Sequence, residues 1–165
     1  MAEILIRNVK PADFARILEL NQTEVRHTSN MDLARLAELD HLADYHKLAV
    51  IDGQIAGFLM GMCYGTPYIN PNFQWFSDRL KDFVYIDRVV VDTAFVGQGV
   101  GSALYQALSN FAHRVDAVRL VCEINIDPPN PASMAFHKKW NFKEIGTEYR
   151  DNAHRKIAMM VAELA

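Results

Sequence analysis

The sequence predicts a single-domain α+β (α/β) fold over residues 1–165, with about seven strands and about four helices. Three observations predict it. Short apolar runs of strand length alternate with segments whose apolar residues recur every three or four positions. One run, Phe83 to Val91, is apolar on both faces except at Asp87 and Arg88, which marks a central strand covered by helices. It stops at Asp92, and five residues later Gly97-Gln98-Gly99-Val100-Gly101-Ser102 opens a helical pattern. Strand, glycine loop and helix start together present backbone N–H groups to a phosphate or pyrophosphate.

The whole-chain numbers set bounds. A length of 165 residues suits one domain with its own core. Half the residues are apolar and 22% are charged, as in soluble globular proteins. A net charge of −3 without a basic stripe argues against nucleic acid as the main partner. Cys63 and Cys122 lie in apolar runs with no Cys-x-x-Cys pairing, the pattern of reduced core residues. Met1 to Lys10 lacks a signal-peptide core and no run is long enough to span a membrane, so a cytoplasmic protein is expected. The histidines show no ligand spacing and no metal is expected; His41 and His46 are five apart, off one helical face.

Each element follows from local pattern. Glu3 to Arg7 reads as a strand. Pro11 opens a helix with Asp13 in its first turn, and Phe14, Ile17, Leu18 and Val25 form its apolar stripe. Asp32 caps a second helix carrying Leu33, Leu36, Leu39 and Leu42. Asp52-Gly53 between Leu48–Ile51 and Ile55–Cys63 is a hairpin signal, and Gly57 and Gly61 mark bulges or a close backbone approach. Tyr64 to Asp82 is a long connection with a short helix near Asn72 to Leu80. Its aromatics Tyr68, Trp75 and Phe76 either line an acceptor pocket, cap the core or form a dimer contact.

After the glycine loop a helix runs from about Gln98 to Val115, with Val100, Leu104, Ala107, Leu108, Phe111 and Val115 inward. Val118 to Ile124 is the next strand, with Arg119, Val121 and Glu123 on one face. Asn130 caps a helix that Pro131 begins, placing Asn130, Ser133 and His137 on one side and pairing Phe136 with Trp140. Phe142–Tyr149 and Lys156–Leu164 close the chain as a hairpin.

The glycine loop allows two ligands. Gly97-x-Gly99-x-x-Ser102, with Glu123 about 20 residues on, approximates a dinucleotide fingerprint. Against it stand Ser102 in the third small position, the five-residue extension between strand and glycines, and the single helix and hairpin after Glu123. The second reading uses the whole C-terminal half. Val96-Gly97-Gln98-Gly99-Val100-Gly101 stands where a Gln/Arg-x-x-Gly-x-Gly/Ala loop would, and Asn130-Pro-Ala-Ser133-Met-Ala-Phe136-His137, then Asn141-Phe142, stands where Asn-x-x-Ala/Ser-x-x-Leu/Phe-Tyr and Gly-Phe would. In these motifs and their order the chain resembles the GNAT superfamily of N-acetyltransferases, most strongly from Tyr85 to Phe142.

The resemblance implies a mixed, mostly antiparallel central sheet and acetyl-CoA as co-substrate with an amine acceptor. It implies strand-like pairing of the pantetheine arm with Val89 and Val91, and pyrophosphate on amides from Val96 to Ser102. It further implies that Asn130 and Ser133 contact the cofactor, and that His137 lies near the thioester sulfur. Val96 and His137 depart from the pattern: the first lacks a polar side chain, and the second replaces the usual tyrosine acid. A homodimer would be in keeping with such folds.

The chemistry asks for a base, because an alkyl amine near pKa 10 is only about one part in a thousand neutral at pH 7. Glu123 is the first choice, with an Arg119 salt bridge as its structural alternative. Asp87 is the second, on the face of Val89 and Val91, with Arg88 or Arg119 as its alternative partner. An N–H near Val89 or Val90 meets the developing oxyanion. His137 either protonates the leaving thiolate or contacts the cofactor without proton transfer. An acyl-CoA sensor without catalysis is the competing class of function.

Overall fold

The computed structural model describes residues 2–25 and 28–164. Seven strands form one sheet in the order β1-β2-β3-β4-β5-β7-β6. They are β1 (Leu5–Asn8), β2 (Tyr45–Ile51), β3 (Gln54–Cys63), β4 (Phe83–Val91), β5 (Arg119–Asp127), β6 (Lys143–Arg150) and β7 (Arg155–Glu163). The described residues include five α-helices: α1 (Phe14–Thr23), α2 (Leu33–Leu42), α3 (Pro71–Ser77), α4 (Val100–Arg114) and α5 (Pro131–Lys139). All strand pairs are antiparallel except β4 with β5.

The local signals act as the sequence suggests, with adjustments at the ends. Asp52 and Gly53 both have positive φ, as a two-residue turn between twisted strands requires. Asp32 accepts a hydrogen bond from the Arg35 N–H. The short helix expected near Asn72 to Leu80 instead spans Pro71–Ser77, because Asn70 caps it by accepting from the Asn72 and Phe73 N–H groups. Asp13 is buried, where it pairs with Arg7 at 2.8 Å and closes a 3-10 turn before α1. The first helix ends at Thr23, so Val25 falls beyond it and is exposed; Val115 likewise lies past α4 and is exposed.

Two apolar clusters sandwich the sheet. On one face, Ile17 and Leu20 of α1, Leu36 and Leu39 of α2 and Phe73 and Phe76 of α3 pack on Phe58, Phe83, Tyr85 and Met159. On the other, Val100, Leu104, Tyr105 and Leu108 of α4 pack on Leu59, Val84, Ile86 and Cys122, with Phe136 of α5 alongside. Gly57 lets the sheet close here, since a Cβ would sit 2.7 Å from the Val90 carbonyl oxygen.

One irregularity opens the sheet. Met60 pairs with Arg88 and Gly61 with Ile86, so Asp87 is an extra residue in β4. Such a bulge bends the strand and increases its twist. On its other side β4 pairs with β5 only at Phe83–Arg119, Val84–Leu120 and Tyr85–Val121. Both strands continue, to Val91 and Asp127, without further pairing between them. They diverge at the bulge, and a gap lies between them.

Candidate active site

The divergence forms a cleft of about 660 Å³. Its walls are Tyr85 to Val91 of β4, Cys122 to Asn125 of β5, the loop before α4 and the inward side of α5. Asp92 N–H donates to the Ala56 carbonyl on β3 at 2.8 Å. Backbone direction alternates along a strand, so the N–H of Val90 also points to β3, while those of Val89 and Val91 face the open side. A free strand edge thus borders the cleft.

The glycine loop stands at one end of that edge. Asp92 caps a 3-10 turn at Thr93–Phe95 through the Ala94 N–H. Gly97 and Gly99 both adopt φ +84, with no neighbouring atom where a Cβ would lie. The first turn of α4 leaves the N–H groups of Val100, Gly101 and Ser102 without intrahelical acceptors. Gly101 serves packing instead. Its Cα rests against the Phe136 ring, 3.3 Å from where a Cβ would be, which seats α5 on α4. Val96 is exposed, and Gln98 stands outside the cleft wall.

Glu123 lies where the strands part. Tyr85 Oη donates to its carboxylate at 2.8 and 2.9 Å, and Asn72 Nδ2 donates to Oε1 at 2.9 Å. Arg119 turns instead to Glu163, at 3.0 Å, so the alternative of an Arg119–Glu123 bridge does not form. Burial raises the carboxyl's pKa most, with the Asp87 charge adding to it; the Tyr85 and Asn72 hydrogen bonds oppose them. The balance is a pKa of about 7. Burial and the neighbouring carboxylate hold the Tyr85 phenol well above its usual range, so it stays a donor.

Asp87 does not share a face with Val89 and Val91. The bulge shifts the alternation, so Asp87 turns to the α1–α3 side, while Val89 and Val91 pack on the α4 side. There Arg88 Nε donates to Asp87 Oδ2 at 2.7 Å and Tyr68 Oη donates to Oδ1. Arg88 is itself buried and bonds Asn21 Oδ1 and the Ser29 carbonyl, tying β4 to α1 and to the segment after it.

His137 is buried with both ring nitrogens engaged. Nδ1 lies 2.7 Å from the Ser133 carbonyl, which only accepts, so Nδ1 carries the proton. Nε2 then accepts from Tyr105 Oη at 2.5 Å. Burial lowers the imidazole's pKa, against the opposing hydrogen bond to the Ser133 carbonyl. Asn130 caps α5 by accepting from the Ser133 N–H at 3.4 Å, and both residues line the cleft.

Of the aromatic residues, Phe76 is fully buried in the core. Trp75 lies against Gly146, donates from Nε1 to Glu148 at 2.8 Å and carries Arg79 over its ring. Neither lines the cleft, and Tyr68 stands behind its wall, bonded to Asp87 and Asn70. Sequence reasoning passed over Tyr85, Asn72, Tyr105 and Arg150. The signals were faint: a tyrosine inside a buried apolar run, and an asparagine directly after a capping Asn-Pro.

The Acetyltransferase (GNAT) family model matches residues 12–142. The chain belongs to this family and is an acyltransferase of the GNAT type. No curated protein matches the chain. Solved structures show the same fold. Ard1 from Thermoplasma volcanium is 21% identical with a TM-score of 0.80, over 98% of each chain. The ribosomal-protein-S18-alanine N-acetyltransferase from Escherichia coli is 15% identical with a TM-score of 0.74, over 99% of this chain and 95% of its own. The yncA protein from Salmonella typhimurium, in complex with its cofactor acetyl-CoA, is 23% identical with a TM-score of 0.73, over 99% and 95%.

Proposed function

We propose that this protein transfers the acetyl group of acetyl-CoA to an amine by direct attack in a ternary complex, with Glu123 as the general base. The observation that carries this reading is the Glu123 carboxyl, with a pKa of about 7, standing where β4 and β5 part. The residues present fit acetyl-CoA. The loop from Val96 to Ser102 offers side-chain-free amides and a helix N-terminus to a pyrophosphate, without needing a polar group at Val96. The open N–H groups of Val89 and Val91 suit an amide-bearing pantetheine arm. Asn130 and Ser133 border the same cleft.

When bound, acetyl-CoA supplies the activated thioester. Glu123, half ionised near neutrality, takes a proton from the incoming ammonium, directly or through one water. Tyr85 and Asn72 hold the carboxylate at the wall and keep its pKa from rising further. The Val89 N–H, which faces the open side of β4 where that of Val90 faces β3, would meet the developing negative charge. Asp87 is committed to Arg88 and Tyr68 and acts by position, holding β4 bent. His137, bonded through both ring nitrogens, positions Tyr105 and α5 and donates no proton, so the departing thiolate takes its proton from solvent.

The test is free thiol release from acetyl-CoA against amino acids, polyamines, aminoglycosides and short peptides, between about pH 6 and 9. The expected result is amine-dependent release whose rate rises through a pKa near 7. Binding of acetyl-CoA with no release from any amine would favour a sensor and overturn the reading.

A further inference from the structure

The cleft wall also carries Arg150 and Arg155, away from the glycine loop. Arg150 closes β6 and Arg155 opens β7, and the two are directly paired across the strands. Directly opposed residues of an antiparallel pair project from the same face, and like charges there repel. That face is the one bearing α3, since Ile157 and Met159, two and four residues beyond Arg155, pack in the cluster of Phe73 and Phe76. The glycine loop belongs to α4, on the opposite face.

Little compensates the repulsion. Arg150 Nε donates to Asn72 Oδ1 at 2.8 Å and Nη1 to the Tyr149 carbonyl at 2.9 Å, both neutral acceptors. Arg155 approaches the carboxylate of Asp151 at 3.4 Å, and that carboxylate is mostly exposed. By contrast Arg88, the third arginine of the cleft wall, is closely paired with Asp87. The Arg150–Arg155 pair is therefore a cationic site on the cleft wall, suited to an anion.

We propose that Arg150 and Arg155 bind a carboxylate of the acceptor, and that the acceptor is a free α-amino acid. The proposal rests on the acetyl-transfer reading given above. Spacing selects the substrate class. Asn72 bonds Arg150 through Oδ1 and Glu123 through Nδ2, so a single amide group separates the guanidinium from the base. The two charged groups are at most about 8 Å apart. A carboxylate on the arginine fork places a nitrogen one carbon away at the base; a carboxylate several bonds distant would carry the nitrogen past it. A peptide N-terminus has no carboxylate at that distance.

The experiment compares α-amino acids with their carboxamides in the thiol-release assay, on the intact protein and on Arg150→Met and Arg155→Met. The expected result is a kcat/KM for the acid about tenfold to a hundredfold above that for its amide, the loss of a charge-assisted pair. Either substitution should collapse that ratio toward one, mainly through the KM of the acid. Arg155 pairs with Asp151, whereas Arg150 bonds the Asn72 that holds Glu123, so the Arg155 variant reports the anion site with the base's own hydrogen bonds kept. Equal activity on acid and amide with the intact protein overturns the proposal while leaving acetyl transfer standing. A loss of acetyl-CoA affinity in both variants, measured by calorimetry, assigns the arginines to the cofactor and also overturns it. Acetyl-CoA binding with no release from any amine fails the parent reading, and this proposal with it.

Discussion

Replacing Glu123 with glutamine should make the protein more stable and far less active, with the stability gain growing as pH rises. The substitution keeps shape and hydrogen bonds. Oε1 already accepts from both Tyr85 and Asn72, and the new amide can donate to the Tyr85 oxygen. What changes is titration. The Glu123 pKa is raised from 4.5 to about 7 by folding. A group whose folded pKa is raised stabilises fully below its unfolded pKa, and that contribution is lost as pH climbs through the folded value. Ionised Glu123 therefore costs up to about 3 kcal/mol above pH 7.5 or so, and glutamine has no such cost. Urea unfolding at about pH 5 and pH 8 should show the variant close to the parent at the lower pH and more stable at the higher, with turnover down roughly 10²–10⁴-fold. A stability difference that does not change with pH would refute the assignment of the raised pKa to Glu123.

Other expectations follow from the same geometry. Asn72→Ala and Tyr85→Phe each remove a donor to the ionised carboxylate, so the acid limb of the kcat/KM profile should move up by about one unit; a limb that stays or falls would contradict the hydrogen-bond balance. Gly57→Ala forces a Cβ to 2.7 Å from the Val90 carbonyl and should destabilise by about 1–3 kcal/mol in urea unfolding, whereas an unchanged midpoint would mean β3 and β4 separate freely.

Most of the fold was legible because its signals are local. The Asp52-Gly53 turn, the Asp32 and Asn130 caps and the Pro131 helix start each depend on a few neighbouring residues, and each forms as their chemistry dictates. The glycine loop and the placement of Glu123 on the inward face of β5 were readable for the same reason. The rest depends on partners distant in sequence. Asp87 turned away from Val89 because of a bulge, and a bulge exists only relative to a neighbouring strand, here β3. Arg119 bonded Glu163, which β7 brings alongside. Trp75 and Phe76 had the composition of a pocket wall, but α3 turns them into the core and against β6, and leaves Asn72 facing the cleft. Arg150 acquires meaning only when the final hairpin sets it beside that asparagine.

The proposed reading places acetyl-CoA in the cleft between the diverging strands, with its pyrophosphate on the glycine loop. Calorimetric titration of acetyl-CoA into the parent protein, Gly99→Asn and Gly99→Asp tests it most directly. Both substitutions place a side chain of similar size at φ +84, so they share the backbone strain and differ in charge. The expected result is one-to-one binding to the parent protein, weaker binding to the asparagine variant and no detectable binding to the aspartate variant. Undiminished affinity in Gly99→Asp would contradict it.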